Sequence, residues 1–127
     1  QQRALPAMIA TRAAWVREVC PLGPGRTLIA SDPSLELAAT GKVAFPAWSL
    51  AFAVRERKLP VAALAEPLES PATTCFVNDR RLEAPYVLAD PASEAPIWDV
   101  ELRDTILARY TFTASRHGVY VYARAPR

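Results

Sequence analysis

Four polar side chains stand where strands should end. Ser31 and Asp32 come just after Leu28-Ile29-Ala30, and Asn78 and Asp79 come just after Cys75-Phe76-Val77. In an open parallel sheet the carboxyl ends of neighbouring strands lie side by side, and ligands bind in the crevice beyond them. A hydroxyl, an amide and two carboxylates at such an edge could hold a polar small molecule, so Ser31, Asp32, Asn78 and Asp79 are candidate ligand contacts. The same junction argues against a nucleotide. Phosphate binding uses glycines that let the backbone close in, and free amides at a helix start. Ala30-Ser31-Asp32-Pro33 instead offers a carboxylate and a residue without an N–H,. Asp32 reads first as a helix cap. Asn78-Asp79-Arg80-Arg81 reads first as a solvated turn, and Gly23-Pro24-Gly25 precedes the strand and cannot cradle an anion at its end.

Other chemistry is sparse. His117 is the single histidine, which excludes sites needing two, and it sits in an expected hairpin turn. No serine lies in the G-x-S-x-G pattern of a nucleophile elbow. Cys20 and Cys75 have no nearby His or Cys with which to make an ordinary zinc site. They either form a disulfide tying the first helix to a central strand, or remain two buried thiols that pack as small apolar groups. No catalytic residue, metal ligand or cofactor is assigned. Trp15, Trp48 and Trp98 fall on expected helices and serve the core by default. Trp48 is the candidate docking residue, since an indole suits a neighbouring domain or a membrane interface.

The elements that must position these groups follow from periodicity. Leu5, Met8, Ile9, Ala13, Val16 and Cys20 mark a first helix, which Pro21, Gly23, Pro24 and Gly25 end. Arg26 to Ser31 is apolar enough for a strand covered on both faces. Asp32, Pro33 and Gly41 bracket a helix of about two turns. Lys42 to Phe45 reads as a brief second strand. Trp48, Leu50, Ala51, Phe52, Val54 and Arg55 then suit a broadly buried helix. A short helix from Pro60 carries Val61, Leu64, Ala65 and Leu68, with Pro67 and Pro71 truncating or kinking it. Thr74 to Asn78 is the third strand. The stretch from Glu83 to Pro96 is punctuated by proline, with Tyr86-Val87-Leu88 as a short edge strand. Ile97 to Arg109 is a helix, and Tyr110 to Ala114 and Val119 to Arg124 are strands flanking a turn at Ser115-Arg116-His117-Gly118.

Alternating strands and helices with right-handed crossovers predict an α/β fold. Its form is a three-layer, Rossmann-like mixed sheet, with the first three strands parallel in the order 2-1-3 and an antiparallel hairpin closing it beside the third. The 127 residues make one domain able to bury a core,. Their composition, 51% hydrophobic and 22% charged, is that of a soluble globular protein,. A net charge of +2, with arginines spread along the chain, does not point to nucleic acid,. No run approaches the ~20 apolar residues that cross a bilayer. The chain opens Gln-Gln-Arg, with neither an initiating Met nor a signal-peptide pattern, and so reads as a fragment of something longer or a processed product,.

The series Leu28-Ile29-Ala30-Ser31-Asp32-Pro33, Leu35, Leu37, Ala38, Gly41, Val43, Phe45-Pro46, Leu50 and Cys75-Phe76-Val77, with Leu107, Tyr110 and Gly118-Val119-Tyr120-Val121-Tyr122 at the end, carries a resemblance. It is similar to the extracytoplasmic C-terminal domain of polytopic GT-C-type glycosyltransferases, which use polyprenyl-phosphate-linked sugars. Where family members often carry an Asp after the second strand, this chain has Pro46-Ala47-Trp48. The resemblance implies an enzyme acting at the outer, periplasmic face of the bacterial cytoplasmic membrane, with its catalytic carboxylates in loops N-terminal to Gln1. This domain would then be non-catalytic, supporting acceptor binding or steadying the catalytic loops. Its partners would be the transmembrane region of the same polypeptide and a glycan acceptor. The residues alone leave two other readings open: a free-standing small-ligand or partner-binding α/β module, and a degenerate nucleotide- or methyl-transfer enzyme.

Overall fold

The computed structural model describes residues 4–43, 56, 58–60, 62–83 and 100–124. Helix α1 (Ala4–Val19) leads into β1 (Thr27–Ala30) and α2 (Pro33–Thr40). Helix α3 (Ala62–Glu69) precedes β2 (Thr73–Asn78), and α4 (Val100–Leu107) precedes the hairpin β3 (Tyr110–Arg116) and β4 (Val119–Arg124). The strands form one mixed sheet in the order β1-β2-β4-β3, with β1 parallel to β2 and the other neighbours antiparallel. The chain is therefore of the α/β class, and the closing hairpin joins the third expected strand through β4.

The expected strand Lys42 to Phe45 is not seen in its first two residues. Gly41 and Lys42 form a bend, Val43 is outside any strand, and Phe45 lies outside the described residues. The buried helix expected around Trp48, the strand Tyr86-Val87-Leu88 and Trp98 also lie outside them. Among the described residues, β1 is thus an edge of the sheet.

Alternation along the strands sends side chains to opposite faces, and two apolar clusters result. Leu28, Ala30, Cys75, Val77, Val119 and Val121 pack with Ala13, Trp15 and Val16 of α1 and Leu35 and Ala39 of α2. Ile29, Phe76 and Tyr122 pack instead with Leu68 of α3, Ile106 of α4, Leu82 and Tyr110. Strand β2 contributes to both clusters and is buried along its whole length.

Two bulges adjust the registers. Thr27 pairs with Thr73 but Leu28 pairs with Cys75, so Thr74 is an extra residue in β2, and its hydroxyl donates to the Thr27 carbonyl at 3.2 Å. In the hairpin, Phe112 pairs with Tyr122 and Ala114 with Val121. The extra residue Thr113 accepts from the Ala123 N–H at 3.2 Å, so a hydroxyl replaces the missing ladder partner,. The hairpin turns on His117 and Gly118, with φ of 56° and 74°. Two successive positive φ values match the twist that a two-residue loop needs.

Helix α3 continues past Pro67 to Glu69. Its open carbonyls are then taken by side chains from across the sheet. The Tyr110 hydroxyl and Arg124 Nη2 both donate to the Leu68 carbonyl, at 2.7 and 2.8 Å, and Arg124 Nη1 donates to that of Ser70 at 2.6 Å. The Thr73 hydroxyl serves the Pro67 carbonyl at 2.9 Å. A guanidinium at a helix C-terminus also faces the negative end of the helix dipole.

Candidate functional site

The parallel pairing of β1 and β2 brings two of the four candidate contacts together. Ala30 pairs with Val77, and the ladder runs one step further as the Ser31 N–H donates to the Val77 carbonyl at 3.0 Å. Ser31 and Asn78 therefore sit side by side at the carboxyl edge, and both are buried. The Asn78 amide Nδ2 donates to the Arg80 carbonyl at 3.0 Å, which fixes the departure of the chain from β2. Asp79 points to solvent, 73% exposed, and pairs with the adjacent Arg80 at 3.8 Å, a spacing too long and too wet to stabilise much,.

Asp32 is occupied by its own helix. Its Oδ1 accepts from the Ser34 N–H at 2.9 Å, and its carbonyl accepts from Leu35 and Glu36 at 3.1 and 3.2 Å. Pro33, at the first helical position, has no N–H to offer,. No amide of the first turn is left for an anion, so the junction that would cradle phosphate in a nucleotide-binding crossover is closed from within. At the other end, Gly41 adopts the left-handed conformation, φ 84°, and its N–H bonds the Leu37 carbonyl at 2.8 Å. Arg17 of α1 adds a bond to the Ala38 carbonyl at 2.9 Å. Replacing Asp32 by Ala should lower stability by about 1 kcal/mol, read as a shift of the urea midpoint with unchanged slope. A shift of the same size in Ser34→Ala, which keeps the accepting carboxylate and the donating amide, would count against the cap.

Cys20 and Cys75 are joined as a disulfide, with Cα atoms 6.1 Å apart and both residues buried. The bridge runs from the end of α1 to the bulge of β2, where the Thr74 hydroxyl lies 3.4 Å from Cys20 Sγ. Trp48, the candidate docking residue, lies outside the described residues. His117 is exposed in the hairpin turn, and the described residues contain no group of three His, Cys, Asp or Glu side chains placed to hold a metal.

One cluster escapes sequence reasoning. Tyr122, fully buried, gives its hydroxyl hydrogen to Glu83 Oε1 and accepts from the Leu82 N–H at 2.7 Å. Glu83 Oε2 in turn pairs with Arg81 Nη2 at 2.6 Å, and the Arg81 guanidinium lies 3.8 Å from the centre of the Phe112 ring. Burial, with the Glu83 hydrogen bond behind it, pushes the Tyr122 hydroxyl up to about 12. Burial also works to raise the Glu83 carboxyl, but its bonds to Tyr122 and Arg81 prevail and hold it below the usual carboxylate range. A phenol that stays protonated and a carboxylate that stays charged, each committed to the other, act as a clamp rather than as an acid and a base. The only sequence signal was Arg81 and Glu83 two residues apart, which does not name Tyr122.

A shallow groove of about 310 Å³ lies between α1 and the hairpin turn, lined by Ala7, Met8, Thr11, Arg12 and His117. It lies at the same end of the sheet as the strand-end residues, since Asn78 pairs with Tyr120, three residues from His117, and no motif in the sequence marks it.

The chain matches none of the protein-family models, curated proteins or solved structures with which it was compared.

Proposed function

We propose that this chain is a non-catalytic extracytoplasmic domain of a polytopic GT-C-type glycosyltransferase, built as a three-layer, Rossmann-like unit that supports acceptor binding or the catalytic loops. The observation that carries its non-catalytic character is the closed start of α2, where Asp32 and Pro33 leave no first-turn amide for a phosphate. The Cys20–Cys75 bridge supports an oxidising compartment, since cytosolic thiols are held reduced,. Helices packed against alternate residues of β1 and β2 support the layered reading. No helix among the described residues is long and apolar enough to cross a membrane, so the membrane portion would be supplied by other segments of the polypeptide.

The reading frame upstream of Gln1 tests this directly. It should encode roughly eight or more apolar segments of about 20 residues each. A start codon within a few residues, with no such segments, would remove the proposal. A second reading draws on Ser31 and Asn78, two buried polar residues side by side at the strand ends, and makes the chain a small-ligand-binding module,. That reading requires Ser31→Ala to weaken binding of a polar metabolite in calorimetry, and the glycosyltransferase reading does not.

A further inference from the structure

All thirteen Asp and Glu residues of the chain lie between positions 18 and 104. The two ends are left purely basic: Arg3, Arg12 and Arg17 at the start, and Arg109, Arg116, Arg124 and Arg127 at the finish. Along the sequence these cations look dispersed, but among the described residues the fold packs α1 against the closing hairpin. Arg12 Nε on α1 donates to the His117 carbonyl in the hairpin turn at 2.9 Å, which sets Arg12 beside the end of β3, where Arg116 is exposed. Arg109 and Arg124 are drawn away to Glu69 and to the end of α3. Among the described residues, neither Arg12 nor Arg116 forms an ion pair. The groove beside Arg12 and the His117 turn has no carboxylate in its lining and offers apolar surface: Ala7 is exposed and Met8 is 46% exposed.

We propose that this face, formed by the N-terminal half of α1 and the His117 turn, docks on an anionic phospholipid surface. Arg12 and Arg116 would meet headgroup phosphates while Met8 enters the interface. Unpaired cations around an exposed flexible apolar side chain complement such a surface, which offers negative charge above hydrocarbon. A nucleic acid is less well matched, because the groove presents no aromatic ring for stacking and has few cations to neutralise phosphates,. The docking goes beyond the glycosyltransferase reading and stands or falls independently of it.

The test is sedimentation of the oxidised 127-residue chain with vesicles of phosphatidylcholine, or of phosphatidylcholine and phosphatidylglycerol in equal parts. Binding is expected only to the anionic vesicles. It should vanish near 1 M salt, where the screening length falls to about 3 Å. Arg116→Ala should lower the partition constant roughly fivefold, and Arg116→Glu and Met8→Ser should lower it as well. Arg26→Ala, at an exposed cation outside this face, should leave it unchanged. Equal binding to both vesicles, no binding to either, or full binding by Arg116→Glu would overturn the proposal. So would displacement by millimolar inorganic phosphate, which would mark a discrete anion pocket, or tighter binding to a DNA duplex than to the vesicles.

Discussion

Breaking the Cys20–Cys75 bridge should lower the stability of the domain by about 4 kcal/mol. The bond joins residues 55 apart in sequence, and the chain-entropy relation for a loop of that size gives roughly that figure, at the upper end of what native disulfides contribute. The site gives little reason for the bond to be dispensable. It fastens the last turn of α1 to β2, the strand shared by both apolar clusters, and both cysteines are buried with 1% or less of their surface exposed. Burial has a kinetic consequence, because a thiolate must reach the sulfurs to exchange with them. The native protein should therefore resist reductant until it opens. Thermal unfolding of the Cys20→Ala/Cys75→Ala double variant should fall by roughly 15 °C, taking about 4 °C per kcal/mol for a domain of this size. The unmutated protein unfolded and refolded in reductant should show the same fall. Agreement between the two would assign the loss to the cross-link rather than to the sulfur atoms' packing. Two reactive thiols in the protein unfolded without reductant, together with an unchanged midpoint, would show that the cysteines pack without bonding.

What could be read from sequence was what is decided locally. The β1–α2 junction was legible because each of its signals acts within a few residues: Asp32 caps two positions ahead, Pro33 needs no donor at the first turn, and Gly41 takes a positive φ that side chains avoid,. The final hairpin was legible because Val119 and Val121 alternate with Tyr120 and Tyr122 and Gly118 marks a positive φ; the turn is shorter than the expected Ser115 to Gly118, because Ser115 and Arg116 stay in β3 and His117 takes the other left-handed position. The nearness of Ser31 and Asn78 followed from parallel pairing, which sets strand ends side by side. What escaped depends on contacts distant in sequence. Nothing in Thr73-Thr74-Cys75 announces a bulge, since the extra residue is tolerated only because the Thr27 carbonyl is there to accept the Thr74 hydroxyl. The run of Lys42 and Val43 has the composition of a strand, yet the left-handed Gly41 and the bend after it turn the backbone elsewhere. Dispersed arginines become a face only once α1 lies against the turn, and Glu83 meets Tyr122 across 39 residues.

The Glu83–Tyr122 contact carries the second large effect. Tyr122→Phe should cost roughly 2 to 3 kcal/mol at neutral pH, because the phenol oxygen is the acceptor for the buried Leu82 N–H and the donor to a charged carboxylate,. The ring itself is kept, so its edge contact with Phe112, at 5.6 Å between centroids, should survive and the loss should reflect the hydroxyl alone. The pH dependence separates this from a packing defect. A hydroxyl raised from 10.0 to about 12 stabilises the fold fully below pH 10, and that contribution drains away as pH rises toward 12,. Burial raises Tyr110 in the same direction, so the variant should keep the Tyr110 part of the alkaline decline and lose the rest. The acid side has the opposite sense. Glu83 sits below its ordinary value of 4.5, so its contribution is present above that pH and disappears as pH falls through the lowered folded value,. Without the Tyr122 donor that value should rise and the acid decline should flatten. Urea midpoints measured across the pH range in both proteins should therefore converge at both extremes and differ most in the middle. A constant difference at every pH would mean that the hydroxyl fills space without titrating against Glu83, and the clamp would have to be abandoned.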